Sequence, residues 1–172
     1  MTIKKGTHRT VIITKYLTIK LPRVFNPFSF LKRAVARWNR KGDMEVAILD
    51  LQNLFIRIPI KGFKENWNEF MCWRDNKADF LMPVYFCLGI IEIQKTSCLR
   101  EISEAEIDKI WVSLIMLAKQ EVWDTDHHHL GSAANYHKED NRFKLIDYGG
   151  QGMRQFIKKY RQELEEIFSS KT

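Results

Sequence analysis

The chain has 172 residues, and 45% of them are hydrophobic, which is enough for one core or for two small lobes. Lys and Arg (28) outnumber Asp and Glu (21), so the net charge at pH 7 is +7. That balance favours contact with phosphates in nucleotides, nucleic acid or an anionic surface, and the longest nearly apolar run, Phe80–Ile91, is too short for a membrane-spanning helix.

The cysteines indicate a reducing compartment. Cys72, Cys87 and Cys98 have no C-x-x-C spacing and lie in apolar surroundings, which is typical of buried, reduced thiols. The N-terminal residues MTIKKGTHRT lack the apolar stretch of a secretory signal. We therefore expect a soluble, cytoplasmic protein.

The first predicted element is a β-hairpin. Arg9–Thr14 and Leu17–Val24 are rich in β-branched residues and are joined by a short turn. Lys20 alternates with apolar neighbours in the second strand, in the sequence LTIKLPRV. A single glycine, Gly6, precedes the hairpin. By itself, the alternation around Lys20 fits a solvated lysine on an edge strand.

A basic segment follows, because residues 1–41 contain no Asp or Glu. Ser29–Asn39 has the pattern of an amphipathic helix, with Ser29 as its N-cap. Its basic residues together with its Trp38 are typical of a surface that binds single-stranded nucleic acid or an anionic membrane, as well as of an ordinary packed helix. The residues concerned are Arg37, Trp38, Arg40 and Lys41.

The middle of the chain predicts one helix and two strands. Phe63–Arg74 has helical spacing and carries two acidic candidates, Glu65 and Glu69, whereas Pro59 and Gly62 are expected to break the chain before it. Phe80–Cys87 and Gly89–Lys95 are apolar and β-rich. The preceding stretch, Met44–Ile58, has apolar spacing that supports a helix, although its end could also be extended.

The second half predicts a long helix, a hairpin and a final helix. Ala105–Gln120 follows a capping box and has a broad apolar stripe. Leu130–Tyr136 and Arg142–Ile146 are expected to pair across the turn Lys138–Asn141, with Asp147 and two glycines directly after the second strand. One amphipathic helix is predicted after Gly152.

These residues resemble the motifs of the protein-kinase-like fold. FKLIDYG, containing Asp147, is similar to the strand and metal-binding D-F-G of kinases. Asp124 and His129 have the spacing of the catalytic Asp and the metal-binding Asn, with His in place of Asn. Lys20 resembles the lysine of V-A-I-K, and Glu69, or else Glu65, the helix glutamate that pairs with it.

The resemblance implies a two-lobed α+β fold, with an antiparallel sheet and helices in residues 1–98 and a reduced helical lobe with a β-hairpin in residues 99–172. It implies a phosphotransferase that moves the γ-phosphate of ATP to a hydroxyl of a small molecule, lipid or protein. Asp124 would be catalytic, Lys20 and Glu69 would bind the nucleotide, and Asp147 and His129 would bind Mg²⁺ or Mn²⁺. The glycine-rich loop is reduced to one glycine, and only about twenty residues follow Gly149.

Two alternatives remain open. In the first, the chain is an inactive kinase-like or basic binding module that contacts nucleic acid or an anionic surface. In the second, it holds a transition metal. For the latter, Asp124, Asp126 and the run His127–His129 form a dense set of nitrogen and oxygen ligands, to which His8 or His137 could be added.

Overall fold

The computed structural model describes residues 1–23, 56–96, 100–101, 104–119, 135–139, 142–150 and 152–169, with a few isolated positions between residues 32 and 49. Within them the protein is α+β, and its strands are β1 (Thr2–Lys5), β2 (Arg9–Ile13), β3 (Leu17–Pro22), β4 (Val84–Cys87), β5 (Glu92–Lys95), β6 (Arg100–Glu101), β7 (Tyr136–Glu139) and β8 (Arg142–Leu145). The helices are α1 (Ile58–Asn76), α2 (Glu104–Lys119), α3 (Met153–Lys159) and α4 (Arg161–Ser169).

Five strands form an antiparallel sheet in the order β1-β2-β3-β5-β4. The predicted hairpin of β2 and β3 is confirmed, and so are the two strands β4 and β5. Strand β1 was not predicted, and it makes Gly6 part of the β1–β2 turn, where the Gly6 N–H donates to Arg9 O at 2.9 Å. Lys20 lies opposite Glu92 in the register of β3 and β5.

Helix α1 packs against β3 and begins earlier than predicted. Pro59 and Gly62 were expected to break the chain, but both lie inside α1. Pro59 is tolerated because the first turn of a helix needs no partner for its N–H. At Gly62 helix α1 lies very close to the β2–β3 hairpin, since a Cβ there would lie 2.5 Å from His8 O and 2.9 Å from Pro22 Cα. The missing side chain lets α1 lie directly on the β2–β3 hairpin.

The β7–β8 hairpin belongs to a second antiparallel sheet, of order β6-β7-β8. Its second strand alternates as predicted, with Phe143 and Leu145 buried and Arg142 exposed. Its first strand includes Lys138 and Glu139, which were predicted to lie in the turn Lys138–Asn141. Most of the predicted strand Leu130–Tyr136 lies outside the described residues. The polar residues of KEDN suggested a turn, yet two of them are held in the ladder by pairing with β8.

The hydrophobic core lies around this second sheet. Phe143, Tyr136 and Leu145 pack there with residues of all four helices, including Cys72 of α1, Leu114 of α2, Phe156 of α3 and Leu164 and Phe168 of α4. The single terminal helix predicted after Gly152 is in fact two helices, which meet at Tyr160. Tyr160 is non-helical in its backbone, and its ring is buried in the same core.

The two sheets are joined through the segment before β4. Leu145 N donates to Phe80 O at 2.7 Å, and Met82 N donates to Leu145 O at 3.0 Å, so β8 pairs with this segment in parallel. The division into lobes at residues 98 and 99 stays a prediction. Every helix among the described residues is too short or too polar to cross a membrane.

Several predictions from the sequence concern residues outside the described ranges. The basic helix Ser29–Asn39 and the segment Met44–Ile58 lie mostly outside the described residues, and Cys98 and the run Asp124–His129 lie wholly outside them. Cys72 and Cys87 are buried free thiols, as expected.

Candidate functional site

A buried ion pair links the first sheet to helix α1. Lys20 projects from β3, where its Nζ contacts Glu69 Oε1, and only 4% of Lys20 and none of Glu69 is exposed. Gln94, on β5, donates from Nε2 to the same carboxylate oxygen at 3.3 Å. Glu69 contacts the lysine, whereas Glu65 pairs with His8 and Arg9. The contact expected between Lys20 and Glu69 is therefore present.

Arg9 adds a second cation to this pair. Its Nη1 donates to Glu69 Oε2 at 2.6 Å, its Nη2 binds Asp147 Oδ1, and its Nε lies 3.4 Å from Glu65 Oε2. Burial lowers the pKa of Arg9, but Asp147, Glu69 and Glu92 raise it, and the resulting pKa is well above its ordinary value. The guanidinium thus stays charged and ties three carboxylates together.

Glu92 is a second buried carboxyl group beside Lys20. Its Oε1 lies 3.3 Å from Lys20 Nζ, but neither of its oxygens meets the geometry of a hydrogen bond with any part of the chain that the structure describes. Burial and then the neighbouring Glu69 raise its pKa to about 8, against the opposing effect of Lys20 and Arg9. At neutral pH Glu92 is therefore mostly protonated, and it does not compete strongly for the charge of Lys20.

Asp147 reaches the same place from the end of β8. Lys20 Nζ donates to the carbonyl of Ile146 at 2.7 Å, and the next residue is Asp147, whose carboxylate is partly exposed. Tyr148 is buried and donates from its hydroxyl to Met82 O at 2.6 Å, which fixes the chain directly after Asp147. Four distant parts of the sequence therefore meet within one cluster.

A cavity of about 570 Å³ opens beside this cluster. Its lining carries more cationic than anionic side chains, because Lys4, Arg9, Lys20, Lys61 and Lys95 outnumber Glu65 and Asp147. His8 is held by Glu65, with Nδ1 2.6 Å from Oε1. Such a concentration of positive charge attracts anions and phosphate groups in particular.

Another wall of the cavity is apolar. Val11 and Ile13 line it from β2, and Ile146 lines it from the end of β8. A volume of several hundred Å³ with an apolar wall and a few convergent charges is characteristic of small-molecule and cofactor sites. The cavity is therefore suited to a ligand with one apolar and one anionic part.

No protein-family model matches this chain, and no curated protein or solved structure matches it either. Its function therefore has to follow from its own residues.

Of the predicted site residues, the structure brings Lys20, Glu69 and Asp147 together. Asp124 and His129 lie outside the described residues, as do Asp126, His127 and His128. Among the residues that the structure does describe, no group of three His, Cys, Asp or Glu side chains could hold a metal ion. The roles of all these residues in binding a nucleotide or a metal stay predictions.

Three residues of the cluster, Arg9, Glu92 and Gln94, were not predicted. Arg9 stands at the first position of β2 and shares one face of that strand with Val11 and Ile13, a period of two that the sequence shows. Glu92 and Gln94 likewise alternate with apolar residues in GIIEIQK. Polar residues on the inner face of an apolar strand are a detectable mark of a buried polar site.

Proposed function

We propose that the protein is a kinase-like phosphotransferase that binds ATP in the cavity between the first sheet and Asp147. The observation that carries this proposal is the buried Lys20–Glu69 pair beside Ile146 and Asp147. In protein kinases a lysine on the third strand pairs with a glutamate on the following helix, and both lie near a metal-binding Asp that follows a later strand. The same order along the chain is found here.

In this proposal Lys20 binds the α- and β-phosphates. Its compact ammonium group has three donors, of which one contacts Glu69 and one donates to Ile146 O. The third faces Glu92 without a hydrogen bond, and a phosphate oxygen is a better partner for it than a protonated carboxyl group. Glu69 positions the ammonium group, because it is itself held by Arg9 and Gln94.

The apolar wall and the cationic residues of the cavity suit the two parts of a nucleotide, its base and its phosphates. The base would lie against the apolar wall of Val11, Ile13 and Ile146, and the phosphates would lie toward the cationic residues. During transfer the acceptor hydroxyl forms a bond to the γ-phosphorus, the bond from that phosphorus to the β,γ-bridging oxygen breaks, and ADP leaves. Asp124 would accept the hydroxyl proton, a role that rests on the resemblance alone.

Magnesium is the part of the resemblance that the described geometry does not fit. The Oδ1 atom of Asp147 is paired with Arg9, and Mg²⁺ requires oxygen ligands at about 2.0–2.1 Å in nearly octahedral geometry.

ATP binding by wild type and by Lys20→Met tests the proposal. We expect wild type to be stabilised thermally by ATP, and the affinity measured by calorimetry to fall at least about tenfold in Lys20→Met. Lys15→Met is the matched control, because Lys15 lies on the exposed β2–β3 turn away from the cavity. Equal affinities in all three proteins, or no ATP binding by wild type, would contradict a nucleotide site at Lys20.

A second candidate is an inactive kinase-like protein that binds nucleotide without transferring phosphate. It is favoured by one observation, the ion pair of Arg9 with Asp147, which occupies the carboxylate that would serve the chemistry. Formation of ADP when the protein is incubated with ATP and a set of hydroxyl-bearing acceptors, measured by chromatography with and without Mg²⁺ or Mn²⁺, separates the candidates. ATP that binds but yields no ADP under any of these conditions supports the inactive form.

A further inference from the structure

Arg9 occupies the position at Asp147 where the kinase pattern expects a cation. Its Nη2 binds Asp147 Oδ1, and its Nη1 binds Glu69 Oε2 at 2.6 Å, so one rigid guanidinium bridges β8 and α1. Only 6% of Arg9 is exposed, and the residue also lines the cavity. This arrangement is a built part of the fold, because Asn66 accepts from Nη1 as well, at 3.4 Å.

We propose that Arg9 substitutes for a divalent cation, so that the cavity binds the phosphates of a nucleoside triphosphate without Mg²⁺. This inference rests on the proposed function and specifies how its site works. A guanidinium carries five N–H donors, and in Arg9 those of Nη1 face Glu69 and Asn66, one of Nη2 faces Asp147 and Nε faces Glu65. The second N–H of Nη2 is therefore the donor that Arg9 offers to a phosphate oxygen. Arg9 thereby supplies the positive charge that a metal supplies elsewhere.

The charges around the cluster favour this arrangement over a metal. Lys20 and Arg9 already face Glu69 and Asp147, and Lys4 and Lys61 line the same cavity together with Glu65. A divalent ion at Asp147 would have to displace a buried guanidinium whose other partners hold it in place. Removing one partner of such a buried network leaves the remaining charges uncompensated, which is costly.

The test is a calorimetric titration of wild type with ATP, once in EDTA and once in excess Mg²⁺. We expect the two dissociation constants to agree within about threefold. Binding that is at least about tenfold weaker in EDTA would overturn the inference and leave the proposed function standing. Absence of ATP binding in both buffers would overturn the two together.

Arg9→Gln gives a second, independent readout. Its ATP affinity in EDTA should fall at least about tenfold, and Mg²⁺ should restore part of it, because Asp147 is then released from the ion pair. Lys15→Gln is the control, since it removes the same charge from an exposed turn. Arg9→Gln that binds ATP in EDTA as tightly as wild type would overturn the inference; should that variant not fold, the wild-type titration alone decides.

Discussion

Lys20 Nζ donates to the carbonyl oxygen of Ile146 at 2.7 Å, so strand β3 is tied directly to the residue that precedes Asp147. The two residues are 126 positions apart in the sequence. Because the same ammonium group contacts Glu69, one side chain joins the first sheet, α1 and the end of β8. The cavity beside Lys20 therefore keeps its shape only as long as these three elements stay in contact.

The carboxylate of Glu69 should matter more for stability than the ammonium group of Lys20. Glu69→Gln leaves two buried cations, Arg9 and Lys20, without their shared partner, and we expect it to lower the free energy of unfolding by about 3–5 kcal/mol. Lys20→Met leaves Glu69 held by Arg9 and Gln94, so its cost should be smaller, about 1–3 kcal/mol.

Unfolding of the two variants by guanidinium chloride measures this difference in the free energy of unfolding. Glu165→Gln, which breaks the exposed pair with Arg161 (2.9 Å), is the control and should cost less than about 1 kcal/mol. A larger loss for Lys20→Met than for Glu69→Gln would show that Glu69 is not the centre of the network.

Gly62→Ala should destabilise the protein although alanine is the better helix former. The added Cβ would lie 2.5 Å from His8 O and 2.9 Å from Pro22 Cα, so α1 has to move away from the hairpin. We expect a loss of about 1–3 kcal/mol from overpacking, despite a gain of about 1 kcal/mol in helix propensity. Lys64→Ala, at an exposed position of the same helix, is the control in denaturant unfolding, and a neutral Gly62→Ala would contradict the close packing.

Local patterns in the sequence predict most of the elements. β-branched runs locate β2 and β3, and a capping box with an apolar stripe locates α2. Strand β1 escapes this reasoning, because TIKK is exposed on the edge of the sheet and has no buried face to produce alternation. The start of α1 was not predicted either, because Gly62 indicates a helix break by its propensity, whereas in the structure it is required by contact with the distant β2–β3 hairpin.

The site is predictable only as far as its residues resemble a known motif. Lys20, Glu69 and Asp147 could be named because they resemble the kinase pattern, and the structure brings them together. Arg9 and Glu92 belong to no motif, and their importance depends on pairing between strands and on burial. Burial and pairing are properties of the folded chain, which a single sequence shows only as polar residues on an apolar strand face.

Phe168 should be a major contributor to the stability of the core. Its ring stacks on Phe80, with centroids 5.0 Å apart and planes inclined by 9°, and it lies 5.8 Å from the ring of Tyr136. Phe168→Ala should therefore cost about 3–5 kcal/mol in denaturant unfolding, because it leaves a cavity between α4 and the second sheet. Ser169→Ala, at the exposed neighbouring position, should be close to neutral, and similar losses in the two variants would contradict this role for Phe168.

Glu92 should make the protein less stable as the pH rises. Burial and Glu69 raise its pKa from 4.5 to about 8 in the folded state, against the opposing charges of Lys20 and Arg9. Between these values the folded chain keeps a proton that the unfolded chain has released, so the free energy of unfolding falls as the pH increases. The loss is complete above a pH of about 8.

Glu92→Gln removes this dependence while it keeps the shape of the side chain. At pH 5 the variant and wild type should differ little, because Glu92 is protonated, whereas at pH 8 the variant should be the more stable by about 1–4 kcal/mol. Urea unfolding of both proteins from pH 5 to pH 8 measures the difference, and Glu163→Gln, at an exposed position of α4, serves as control. A difference that stays constant over this range would show that Glu92 has the same charge in the folded and unfolded states.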